Sequence, residues 1–202
     1  LGRPTRAKAA LLAPRIVTSA TGLFLKDGYA ATTMEAVAAA SGVSKRTLYK
    51  YHADKPALLR AVVAAMISAW RPPFDAEAAD PADVAGSLLR LARRMLDVAL
   101  TPQALALYRL AISESERFPE IVQSLHLAGT STAIDRIAAL LAPVVPPDAA
   151  VWAAEQFQRL VIGGPRLRAL GFGTPLDAAA RETWARRSVA LFLRGILGDE
   201  GA

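Results

Sequence analysis

An all-α fold in two parts, with about nine helices, is what the sequence predicts, and three observations carry that prediction. Ala and Leu dominate the chain, while Gly and Pro fall mainly at the borders of apolar-periodic segments. The stretch Thr32 to Lys55, TTMEAVAAASGVSKRTLYKYHADK, reads as two short helices about a tight glycine turn, a helix-turn-helix. The charge is also unevenly divided. Residues 1–60 carry ten Lys or Arg against three acids (Asp27, Glu35, Asp54), a net of +7, and the remainder carries fourteen against fifteen, a net of −1. A basic segment joined to a neutral helical one is the electrostatic footprint of a nucleic-acid-binding domain attached to a second domain.

The 202 residues are enough to bury a substantial core, and 53% hydrophobic with 21% charged residues excludes a disordered chain. No run of about 18 apolar residues survives without a charge, so no membrane span is expected. No secretory signal is visible. The absence of cysteine excludes disulfides and thiolate metal sites, and it fits a cytoplasmic protein. The chain starts at Leu1 and not at Met, which suggests that leading residues precede it.

Taken in order, Leu1 to Lys8 is basic, contains Gly and Pro and lacks an apolar period. It is either an arm whose Arg3 and Arg6 reach phosphates or an adjacent minor groove, or a terminus with incidental charge. A first helix is expected from about Pro14 to Lys26, with Ile16, Ala20, Leu23 and Phe24 on one face; Ala9 to Leu12 could extend it forward. Gly28 suits the left-handed position that ends it, and Tyr29 packs back. Thr32, with Glu35 three residues on, makes a capping-box pattern opening the next helix, which turns amides near Thr32 and Thr33 toward a possible phosphate.

Met34, Val37 and Ala38 form the apolar side of that helix, Ser41-Gly42-Val43 breaks it, and Ser44 is the cap of the next. The latter is the expected recognition helix, since a B-form major groove admits one helix with donors outside and apolar anchors inside. Val43 and Leu48 are the anchors. Arg46, early in the helix, is the candidate for direct base readout, and Lys45, Thr47, Tyr49 and Lys50 divide between bases and phosphates. Ser44 stands at the same end. Tyr51 and Lys55 are expected on the DNA backbone. For Tyr49, a ring packed inside the domain is the rival reading.

Gly28-Tyr29, Thr32-Thr33, Val37-Ala38, Ser41-Gly42-Val43-Ser44 and Thr47-Leu48-Tyr49, followed by Lys55 and Leu58-Leu59, resemble the N-terminal domain of the TetR/AcrR (tetracycline-repressor-like) family of bacterial transcriptional regulators. The resemblance covers roughly residues 14 to 62. Two positions depart from it: His52 stands where the family usually has a Phe in the domain core, and Arg46 where a small residue is common. The resemblance implies a three-helix DNA-binding domain, here residues 1–53 with the arm, and a larger helical domain, residues 54–202, that binds a small molecule and dimerises.

The remaining sequence fits that plan. Asp54 can cap a long helix with Pro56 in its first turn and Leu58, Leu59, Val62, Val63, Met66 and Trp70 as its stripe, stopped by Arg71-Pro72-Pro73. Asp80-Pro81 and Thr101-Pro102 are cap-then-proline signals for helices at about 81–100 and 102–115. Phe118-Pro119 opens another, to about 141, and Arg117-Phe118-Pro119-Glu120 resembles a junction in a subset of the family. A helix after Pro146-Pro147 carries Trp152, Phe157, Leu160 and Val161 until Gly163-Gly164-Pro165 kinks or breaks it. The last runs from about Pro175 to Leu197 with Trp184, Val189, Leu191, Phe192 and Ile196.

The two late helices can pair with their copies about a two-fold axis, as the family's dimer does. Trp152, Phe157, Trp184, Ser188, Leu191, Phe192 and Gly195 are the interface candidates, with burial inside one subunit as the alternative. Met66, Trp70, Met95, Tyr108, His126 and Phe157 are candidates to line a partly apolar effector pocket, the alternative being ordinary core.

Catalysis finds little support. His52 and His126 are isolated, no Gly-x-Ser-x-Gly elbow is present, Gly163-Gly164-Pro165 lacks the Lys-Ser/Thr of a phosphate loop, and Glu114 and Glu116 point to different helix faces. No metal or cofactor is expected. The reading is a DNA-binding regulator, a repressor that holds a palindromic operator as a homodimer and is released by a small molecule. An architectural or partner-controlled DNA-binding protein without an effector is the alternative.

Overall fold

The computed structural model describes residues 11–70, 80, 82–125 and 131–197, with Trp70, Ile121, Ser124, Leu125, Ser131, Thr132 and Leu197 described in their backbone alone. Among these residues the chain forms ten α-helices and no strand: α1 Leu12–Asp27, α2 Met34–Ala40, α3 Lys45–Tyr51, α4 Lys55–Trp70, α5 Val84–Ala99, α6 Pro102–Ser113, α7 Pro119–Leu125, α8 Ser131–Leu141, α9 Pro147–Leu167 and α10 Ala178–Leu197. The single helix expected over 118–141 is described as α7 and α8, on either side of residues 126–130, which lie outside the described set together with Arg71-Pro72-Pro73 and Pro81. No single helix among the described residues is long and apolar enough to cross a membrane.

The helices form two compact units, Leu1–Ala69 with Ala106–Leu125, and Trp70–Leu105 with His126–Ala202. In the first unit, Ile16, Ala20 and Phe24 of α1 recur at helical spacing and are buried, as are Leu58, Leu59, Val62 and Val63 of α4. Tyr29 is buried between Phe24, at 5.5 Å between ring centroids, and Phe118, which meets it edge-on at 5.2 Å. Gly28 ends α1 with φ +83° and ψ 164°, so its freedom at positive φ is used, in an extended and not a left-handed helical conformation.

Of the helix starts that differ from the sequence reading, two do so because another side chain captures the cap. At α2 the N-cap is Thr33, whose Oγ1 accepts the Ala36 amide at 3.1 Å. Thr32 is buried, and its hydroxyl donates back to the Gly28 carbonyl at 2.8 Å. At α5 the cap is Asp83, which accepts from Gly86 at 2.8 Å, while Asp80 is occupied with Ala82 and Ser87. Asp54 and Thr101 do cap α4 and α6, accepting from Ala57 and Ala104.

The core of the second unit is built from α5, α8, α9 and α10 around Met95, Ile137, Leu141, Phe157 and Phe192. The Phe157 and Phe192 rings lie 4.9 Å apart. Arg93 on α5 grips Glu182 on α10 through two hydrogen bonds, at 2.8 and 2.5 Å, and Arg186 joins the same carboxylate at 2.6 Å. The Arg93 guanidinium is the main reason the Glu182 carboxyl is pulled down to about 2. Helix α9 runs through Gly163-Gly164-Pro165 to Leu167. Proline has no amide to give the Val161 carbonyl four residues back, and the Trp184 indole N–H donates to that carbonyl at 3.0 Å. Gly164 makes the approach possible, because a Cβ there would lie 2.8 Å from the Trp184 ring.

Candidate nucleic-acid interface

The α2–turn–α3 unit is held by backbone geometry that its sequence specifies. Gly42 adopts φ +62°, the left-handed conformation a side chain resists. Its amide bonds the Ala39 carbonyl and the Val43 amide bonds the Ala38 carbonyl, the paired reverse bonds of a Schellman ending. Arg15 of α1 donates to the Ser41 carbonyl, and the Ser41 hydroxyl donates to Val37 at 2.6 Å. Ser44 then caps α3, accepting the Thr47 amide at 3.1 Å, and its hydroxyl is 2.8 Å from that of Thr47. Leu48 is fully buried and Val43 half-buried, which anchors α3 with one side inward.

The opposite side of α3 carries Lys45, Arg46, Tyr49 and Lys50, all exposed. Tyr49 is 47% exposed, so its ring is turned outward and not packed in the domain. Lys45 Nζ is 2.8 Å from the Glu35 carboxylate on α2, and that pairing holds the Glu35 carboxyl below the usual range. Ser44 and Thr33 are exposed, while Thr47 and Tyr51 are half-buried. Arg3 and Arg6 lie outside the described residues.

Two of the expected DNA contacts are engaged within their own domain. Thr32 is 3% exposed and gives both its hydroxyl and its amide to the Gly28 carbonyl, which leaves no donor for a phosphate. Lys55 points at its own domain: Nζ donates to the Ala30 carbonyl at 3.1 Å and lies 4.4 Å from the Tyr29 ring centroid. Burial, and then the Arg117 charge, lower its affinity for a proton. It is a clasp between α4 and the α1–α2 turn. His52 follows α3 half-buried, with Nε2 buried and no hydrogen-bond partner; burial lowers its pKa from 6.5.

Of the pocket candidates, Met66 and Tyr108 belong to the first unit, and Met95 and Phe157 to the second. His126 lies outside the described residues, as does the Trp70 side chain. Of the interface candidates, Phe157, Ser188 and Phe192 are buried within the second unit, so packing inside one subunit takes them. Trp184 is committed to Val161. Trp152 and Leu191, 63% and 58% exposed, and Gly195 remain on the surface.

A capped short helix, anchored by one fully buried leucine and showing four basic or aromatic side chains outward, has the form of a helix-turn-helix DNA-reading unit. Residues 16–62 match the model of bacterial regulatory proteins of the tetR family, and residues 86–195 match the model of AefR-like transcriptional repressor C-terminal domains. The chain belongs to the TetR family of transcriptional regulators, which are DNA-binding proteins and not enzymes. Among solved structures, the flavonoid-responsive regulator FrrA is 30% identical with a TM-score of 0.77, over 92% of this chain and 97% of that one. A protein of Mesorhizobium loti MAFF303099 assigned to the same family is 27% identical (TM-score 0.74; 95% and 98% covered). A TetR transcriptional regulator of Agrobacterium tumefaciens is 25% identical (TM-score 0.76; 95% and 99%). No curated protein matches the chain.

Proposed function

We propose that this regulator is a repressor that binds a palindromic operator as a homodimer in the cytoplasm and is released by a partly apolar small molecule. Residues 1–53 carry the DNA contacts and 54–202 the effector site and the dimer contact. The observation that carries the reading is the outward face of α3, where Lys45, Arg46, Tyr49 and Lys50 are all solvent-facing while Leu48 fixes the helix from behind. Arg46 and Lys45 read base edges, and Lys50 and the Ser44 end hold phosphates. One seven-residue helix reads few base pairs. Two copies about one DNA turn apart, roughly 34–36 Å or a multiple, read a palindrome.

Trp152 and Leu191, exposed on the two late helices, are the sort of apolar surface a second copy covers. The effector acts through differential affinity: it binds better to the arrangement of helices that holds the two α3 copies at the wrong separation. The likeness to a flavonoid-responsive regulator makes a flavonoid the first effector to test. The test is footprinting of the full-length protein on duplexes recovered from a random pool, with and without a panel of flavonoids. A protected palindrome that is lost on adding a flavonoid supports the whole reading. Protection that no small molecule in a wider metabolite panel reverses supports a regulator without an effector.

A further inference from the structure

Glu35 lies in the first turn of α2 behind the Thr33 cap, and its carboxylate takes a bond from its own backbone amide and another from the next helix: Oε1 is 2.8 Å from Lys45 Nζ, at the first position of α3. Both side chains are more than half exposed, 62% for Lys45 and 53% for Glu35, so solvent screens the pair and it adds little to folding. Its location gives it another consequence. Lys45 opens the helix whose outer face meets a polyanion, and Glu35 is one of only three acids among residues 1–60. An ammonium on a flexible four-carbon stem, if unrestrained, settles on the nearest phosphate, a contact that adds affinity for any sequence and information about none.

We propose that Glu35 is a positioning residue for operator discrimination: its ion pair with Lys45 keeps that ammonium off phosphates, which weakens binding to non-specific DNA, and aims the two remaining donors at a base edge of the operator. The inference rests on the reading of α3 as the recognition helix. Specificity is a difference between two affinities and can be raised by weakening the wrong complex. A carboxylate that occupies Lys45 removes one phosphate contact from every non-specific complex. In the operator complex that contact is replaced by one to a base, and the ammonium keeps its bond to Glu35.

The test uses the full-length protein, a duplex recovered by selection from a random pool, and an unrelated duplex of equal length, with binding followed by anisotropy across a salt series. Glu35→Gln is expected to bind the unrelated duplex about 3- to 10-fold more tightly, with a slope of log affinity against log salt steeper by about 0.9. The gain on the selected duplex is smaller, so the ratio of specific to non-specific affinity falls. Glu35→Asp, which keeps the charge but draws it back by one methylene and weakens the pair, moves both readouts in the same direction by less. In a Lys45→Gln background, Glu35→Gln changes neither readout, because its effect runs through Lys45. Equal tightening on both duplexes overturns the proposal. So does an effect that persists without Lys45, which would mean that the carboxylate repels phosphates directly, and so does no effect at all. If Lys45→Gln itself leaves both affinities unchanged, the assignment of Lys45 to the DNA face falls, and the proposal falls with it.

Discussion

Arg46 is exposed at the second position of α3, where the first turn of a recognition helix comes closest to base edges. Arg46→Ala is expected to cost about 1–3 kcal/mol on the operator, concentrated at one base pair. Quantitative binding to a panel of single-base operator variants checks this, and a uniform loss across the panel would move Arg46 to the phosphates. His52 supplies a pH dependence whose sign is fixed. Burial favours its neutral form, so the folded pKa lies below 6.5 and the unfolded chain takes up protons first. Its contribution to stability is present above about pH 6.5 and is lost as the pH falls through the folded value. His52→Phe is expected to remove that part of the loss, read as a flatter melting midpoint between about pH 7.5 and 5. Sequence alone found these two residues as departures from a family pattern. It found the residue type of Lys55 but not its direction, because the Ala30 carbonyl and Tyr29 ring that hold it are 25 and 26 residues away in the chain. For the same reason Glu35 read as half of a capping box: spacing within one helix is visible in sequence, whereas the pull of Lys45 on the next helix is not.

At the level of elements, the turn of the helix-turn-helix was the most legible part, since Ser41-Gly42-Val43-Ser44 specifies both the ending of α2 and the cap of α3. Gly42→Ala is expected to destabilise the protein by about 1–2 kcal/mol, from the left-handed conformation alone. The new Cβ also comes 3.0 Å from the Arg15 guanidinium, so denaturant unfolding is expected to show at least that loss. The junction of α9 and α10 was not legible. Gly163-Gly164-Pro165 suggested a kink or a break, and Trp184 suggested a dimer contact. The structure joins the two, the indole N–H replacing the amide that Pro165 lacks. Trp184→Phe keeps an aromatic ring, though a smaller one, and leaves the Val161 carbonyl without its donor, a loss expected to cost about 1–3 kcal/mol. Urea unfolding of Trp184→Phe beside Trp152→Phe separates the roles: a loss only in the former fits a tryptophan satisfied within its own subunit, and equal small losses would count against it.

For the whole molecule, composition and charge were sufficient to foresee an all-helical chain with a basic reader and a neutral remainder. The grouping of residues 106–125 with the N-terminal helices was beyond reach, because it rests on contacts such as Phe118 on Tyr29 that no local pattern encodes. The proposed dimer contact on α9 and α10 rests on the exposure of Trp152 and Leu191. Changing both to Glu is expected to yield a monomer by light scattering with helical content unchanged, and a dimer of normal mass would put the two-fold contact elsewhere. The central claim, that paired α3 helices read a specific palindrome, is tested most directly by selecting bound duplexes from a random pool with the full-length protein and sequencing them. The account predicts an inverted repeat with half-sites about one helical turn, or a multiple of it, apart, and relaxed at a single symmetric position by Arg46→Ala. A recovered pool without any consensus, or affinity that follows duplex length and not sequence, would contradict it.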